Sequence, residues 1–149
     1  CIDQLSTWHR LDPVCDITIT FFSPGGSVID GLALFDYIIS MRKLGHKITT
    51  KALGYAASMA GILLQAGDVR IMSKESWLLI HETQFGAVGS YGEVNDRVKW
   101  IERIQDRILD IFAERSKLSK AQLKKRWNRR DWWISSDDAL KFGLVDEVE

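Results

Sequence analysis

Long apolar runs, a cysteine framework, proline-rich linkers and an excess of charge of either sign are all missing from this 149-residue chain. No run approaches the roughly eighteen to twenty apolar residues that a bilayer-spanning helix needs, so a transmembrane segment is excluded, and no signal peptide is expected. The two cysteines, Cys1 and Cys15, make no disulfide framework and show no metal-ligand spacing. A reducing compartment, most simply the cytoplasm, and the absence of a bound metal are therefore expected. Twenty basic and twenty acidic residues cancel to a net charge of zero, which argues against nucleic acid or a membrane surface as partner. The local basic run at residues 117–130 opens with Ser119 and Gln122 in capping-box spacing and reads as a solvated helix face. With 46% hydrophobic residues, no internal repeat and no linker, the chain is long enough to bury one sizeable core, and a single domain over 1–149 is expected.

What is present is concentrated in a few short segments. Residues 54–61, Gly-Tyr-Ala-Ala-Ser-Met-Ala-Gly, place one aliphatic hydroxyl, that of Ser58, among mostly small residues. The β-branched run before it predicts a strand over 47–53, and the apolar run after it a helix over 59–66 closed by Gly67. At such a junction the first helical N–H groups lack carbonyl partners and the helix dipole is positive, so negative charge developing beside Ser58 is stabilised. The plainer reading makes Ser58 an N-cap in a tightly packed helix start.

Two further segments supply partners for a nucleophilic serine. The apolar run Trp77, Leu78, Leu79, Ile80 predicts a buried strand that ends at His81, whose imidazole titrates near neutrality and can accept and return a proton. His9, beside Arg10, and His46, after Gly45 in a turn, read as ordinary surface residues. Asp131 is followed by Trp132, Trp133 and Ile134 and is expected to be drawn toward the core, where a carboxylate needs a donor such as the His81 ring. An ion pair with Arg129 or Arg130 is the other reading. Upstream, a predicted strand over 16–22 runs into Ser23-Pro24-Gly25-Gly26, and Ser27 with Asp30 then opens a helix.

The order Ser58, His81, Asp131 downstream of Ser23-Pro24-Gly25-Gly26 resembles the Clp protease proteolytic subunit (ClpP) family of serine peptidases. The resemblance runs from about Ile17 to Val148. It implies a catalytic Ser58, His81 and Asp131, with the backbone N–H groups of Gly26 and Met59 forming the oxyanion hole and no cofactor. It also implies an α/β fold of the ClpP/crotonase type, built from repeated β-β-α units, with a protruding handle of a strand plus a long helix. That handle falls on the glycine-interrupted segment from Phe85, followed by Val94, Val98, Ile101, Ile104, Ile108 and Ile111 at helical spacing. In the family it interleaves stacked seven-membered rings whose chamber admits unfolded polypeptide, so a homo-oligomer and a polypeptide substrate are implied. An AAA+ unfoldase is the family's partner, docking through axial loops that this chain, opening at Cys1 within the first helix, is expected to lack. A crotonase-type acyl-CoA enzyme and a non-catalytic ring subunit are the competing functions.

Overall fold

The computed structural model describes residues 1–149. Its elements, in chain order, are α1 (Ile2–Leu11), β1 (Ile17–Ser23), α2 (Val28–Lys43), β2 (Ile48–Ala57), α3 (Met59–Leu64), β3 (Val69–Met72), β4 (Trp77–Ile80), α4 (Tyr91–Glu114), α5 (Lys120–Trp127), β5 (Trp132–Ser135), α6 (Ser136–Phe142) and β6 (Glu147–Val148). Six strands form one sheet in the order β5-β4-β2-β3-β6, with β1 also paired to β2. All pairings are parallel except β4 with β5. This is a mixed α/β, mostly parallel architecture, as the resemblance implies.

β2 organises the sheet because it serves two neighbours in turn. Its first half pairs with β3 (Thr49 with Val69) and its second half with β4 (Tyr55 with Trp77). Between the halves the register with β1 slips, so that Phe21 faces Ala52 while Ser23 faces Ala56. Gly54, at φ 73°, sits in this bulge, and any side chain there would strike the Phe22 ring. A bulge bends a strand and re-aims its downstream end, and the downstream end of β2 carries Ser58.

All six residues of α3 are buried, which is why this helix is apolar on every side. Gly31 of α2 lets the Met59 side chain lie directly on that helix, and Gly61 does the same for Leu78 of β4. Four of the helices begin at a capping serine. Ser27 caps α2 by accepting from the Asp30 N–H, Ser90/Glu93 and Ser119/Gln122 form capping boxes on α4 and α5, and Ser135 caps α6, which Gly143 closes at φ 71°.

Arg70 ties the far side of the sheet together. Its buried guanidinium donates to Asp146, to Gln65 Oε1 at 2.8 Å and to the Arg115 carbonyl at 2.5 Å. Burial pushes the Asp146 carboxyl up, but hydrogen bonds from the Arg70 side chain and backbone, with the charges of Arg70 and Arg115, outweigh it and hold the group below its usual value.

Three expectations are corrected by the fold. The sequence places Asp131 just before a helix capped by Ser135 or Ser136 and stopped at Gly143, but a strand, β5, intervenes; Trp132 pairs with Ile80 and Ile134 with Leu78 across an antiparallel ladder. His46 is not a surface residue: it is 2% exposed, with Nδ1 2.9 Å from the Cys15 carbonyl oxygen and Nε2 2.9 Å from His9 Nδ1. The turn closed by Gly45 tucks the ring beneath α1, where backbone and His9 satisfy both nitrogens. Residues 85–90, where the resemblance places the strand of the handle, pair with no other strand in the single chain.

Candidate active site

Ser58 stands between the last residue of β2 and the first of α3, with φ 55° and ψ −122°. A non-glycine residue at positive φ is strained, and such strain persists only where the surroundings impose it. Its N–H donates to the Leu79 carbonyl of β4 at 3.0 Å, and its own carbonyl accepts from Gly61 and Ile62 to begin α3. The side chain makes no capping hydrogen bond. The plainer reading of Ser58 as an N-cap therefore fails, and the hydroxyl is free.

His81 comes immediately after β4, the neighbour of β2. Ser58, His81, Gly26 and Met59 line one cavity of about 310 Å³, together with the apolar side chains of Val28, Ile62, Ile108, Phe112 and Trp127. Apolar side chains with a few polar groups among them are the usual lining of a small ligand site.

Asp131 immediately precedes β5, on the other side of β4. The last pair of the ladder is Ile80 with Trp132, so His81 and Asp131 are the residues that adjoin its end on the two strands. Both residues line a second cleft, of about 450 Å³, with Arg129 and Arg130. Ser58, His81 and Asp131 thus stand side by side at one end of the three adjacent strands β2, β4 and β5. Asp131 is exposed, contrary to the expectation of a buried acid, because strand alternation sends Ile134 into the core without dragging the strand's first neighbour along. It forms no ion pair with Arg129 or Arg130. No side-chain hydrogen bond runs from Ser58 to His81 or from His81 to Asp131; beside them, the Thr83 N–H donates to Gln105 Oε1 at 3.2 Å.

A model of one sequence family, described as Clp protease, matches residues 1–149. The chain belongs to the Clp protease family. Three curated proteins named "ATP-dependent Clp protease proteolytic subunit" are similar to it. That of Bacteroides fragilis is 34% identical, aligned over 97% of this chain and 69% of its own length. That of Bacteroides thetaiotaomicron is 33% identical over 97% and 65%, and that of Deinococcus radiodurans 31% identical over 99% and 71%. The chain therefore spans roughly two thirds of the length of these Clp protease subunits.

Two features of this Clp protease site escape a reading of the sequence alone. At Gly25, φ 101°, a Cβ would fall 2.7 Å from the Ala57 carbonyl oxygen, 2.8 Å from Ser58 Cβ and 2.9 Å from the Met59 nitrogen, whereas one at Gly26 would meet nothing within 4 Å. Gly25 is thus the glycine that lets the upstream turn lie against Ser58. Trp127, in the basic run, is 2% exposed and lines the cavity. Only its apolar spacing from Leu123, four residues earlier on α5, hinted at a buried face.

Proposed function

We propose that the chain is the catalytic serine endopeptidase subunit of a compartment built from copies of itself, hydrolysing unfolded polypeptides. His81 takes the proton of Ser58 as Oγ attacks a peptide carbonyl, the N–H groups of Gly26 and Met59 hold the oxyanion, and the proton passes to the leaving amine. Water then hydrolyses the acyl-enzyme by the reverse use of His81, while Asp131 holds the ring tautomer and stabilises the imidazolium. The observation that carries this reading is the free Ser58 hydroxyl in a strained turn, in one cavity with His81 and at the end of the strand next to it. The apolar lining of the cavity suits an apolar side chain of the substrate.

Assembly is supported by the handle. Phe85, Val88, Tyr91, Val98 and Trp100 are exposed in the single chain, along one segment that the domain's own core leaves uncovered. Apolar surface concentrated in this way favours association. The relatives' name, "ATP-dependent", supports an ATP-driven unfoldase as the partner that feeds the chamber.

A non-catalytic ring subunit is the second reading, favoured by the lack of a hydrogen bond between Ser58 and His81. Intact-mass detection of a fluorophosphonate adduct separates the two. Wild type is expected to be labelled once, Ser58→Ala not at all, and His81→Ala slower by at least about a hundredfold. An assembled sample that stays unlabelled establishes the non-catalytic subunit.

A further inference from the structure

We propose that Arg126 is a positioning residue for Asp131, acting through a stack of its guanidinium on Trp132 and Phe142; the proposal rests on the Ser58–His81–Asp131 reading above. The Asp131 carboxylate is held by no hydrogen bond or ion pair within the chain and is exposed, so whatever fixes it acts through the backbone on either side. On the N-terminal side the chain leaves α5 in a tight turn. The Arg130 N–H donates to the Trp127 carbonyl at 3.1 Å, and Arg129 is held at φ 54°, a conformation that only glycine adopts without strain. The buried Trp127 ring anchors that end.

On the C-terminal side the first anchor is Trp132. Its backbone is pinned opposite Ile80, but its ring is only half-buried. Arg126 covers it: the guanidinium carbon lies 5.2 Å from the Trp132 ring centroid and 4.9 Å from that of Phe142, and the two rings are 5.7 Å apart. Both distances lie within cation–π range. Arg126 Nε is buried with no hydrogen-bond partner. An arginine at the end of a surface helix can turn that donor to water; this one leaves it unpaired and keeps its cation on the rings. Arg126 therefore joins the end of α5, the start of β5 and the end of α6 and closes the turn that presents Asp131 to His81. A catalytic carboxylate has to be held to within about 0.5 Å of its working position, and a displacement of about 1 Å can cost a hundredfold.

The test is the rate of Ser58 phosphorylation by diisopropyl fluorophosphate, with loss of fluoride, as a function of pH, in a two-by-two set: wild type, Arg126→Met, Asp131→Asn and the double variant. Methionine preserves most of the packing volume and removes the cation. Arg126→Met is expected to slow labelling by roughly tenfold and to lower the pH midpoint of the profile, because an imidazole with a misplaced carboxylate loses its proton more readily. Arg126→Lys should restore part of the rate, since lysine keeps the charge without the planar stack. In the Asp131→Asn background Arg126→Met should add no further loss, as residues acting in one chain of contacts are not additive. An equal loss in both backgrounds, or a slower rate with an unmoved pH midpoint, overturns the proposal in favour of a merely structural arginine. If Asp131→Asn itself labels like wild type, the Asp131 assignment fails and takes the proposal with it. Should Arg126→Met not fold, Phe142→Leu, which removes one ring from the stack and leaves β5 intact, is expected to shift the same midpoint in the same direction, and an unmoved midpoint overturns the proposal.

Discussion

Ser58 carries strain that only its surroundings maintain, and Gly25 is the residue that permits them. Replacing Ser58 by glycine removes the Cβ that resists φ 55° and loses no hydrogen bond, so Ser58→Gly is expected to raise stability in urea unfolding by up to about 1 kcal/mol while abolishing fluorophosphonate labelling. A lower stability would mean that the hydroxyl has a structural partner. Gly25→Ala combines positive φ with three backbone or Cβ approaches under 3.0 Å and is expected to cost about 1–3 kcal/mol and to slow labelling more than about a hundredfold, whereas Gly26→Ala, with open space around it, should fold normally. Equal unfolding midpoints for these two variants would contradict the close approach. Composition reveals that two glycines stand in this turn. Which of them touches the nucleophile depends on how β1 and β2 are offset.

At the scale of elements, helix starts were legible and the short strand was not. Ser27, Ser119 and Ser135 each cap the helix that their spacing announces, because a cap is chemistry between residues two or three apart, and Ser90, which was not anticipated, caps α4. The four residues of β5 carry no period long enough to separate strand from helix, and they become a strand only because β4 offers an open edge. α4 divides into two halves: Ile101, Ile104, Ile108, Ile111 and Phe112 reach the core, while the first turns extend into solvent and depend on the Ser90/Glu93 box. Ser90→Ala is expected to cost about 1 kcal/mol in local opening, read as faster hydrogen exchange confined to the first turns of α4. Uniform acceleration along the whole helix would show that its two halves open together.

For the whole molecule, two expectations concern what holds the fold and what it assembles into. The Asp146 carboxyl is held below its ordinary value, so its contribution to stability is present above the unfolded pKa of about 3.9 and is lost as pH falls through the lower folded value. Asp146→Asn should therefore lower the melting temperature at neutral pH and flatten its fall on the acid side; an unchanged acid slope would place that titration elsewhere. The exposed apolar handle predicts association. Val88→Glu combined with Trp100→Glu should shift the sedimentation profile toward the single chain and leave the circular dichroism of the domain unchanged. A profile that does not shift would move the contact to another face.

Charge balance, the small-residue turn around Ser58 and the strand ending at His81 belong to the sequence alone, because each rests on composition or on neighbours a few residues apart. That His81 and Asp131, far apart in the chain, come to flank the same end of one ladder was decided by the antiparallel pairing of β4 with β5. That His46 is buried against His9 and Cys15, and that Arg126 covers the rings beside Asp131, was decided by helices packing across the sheet. These contacts join segments whose separation in sequence carries no period and no spacing, so only the folded chain brings them together.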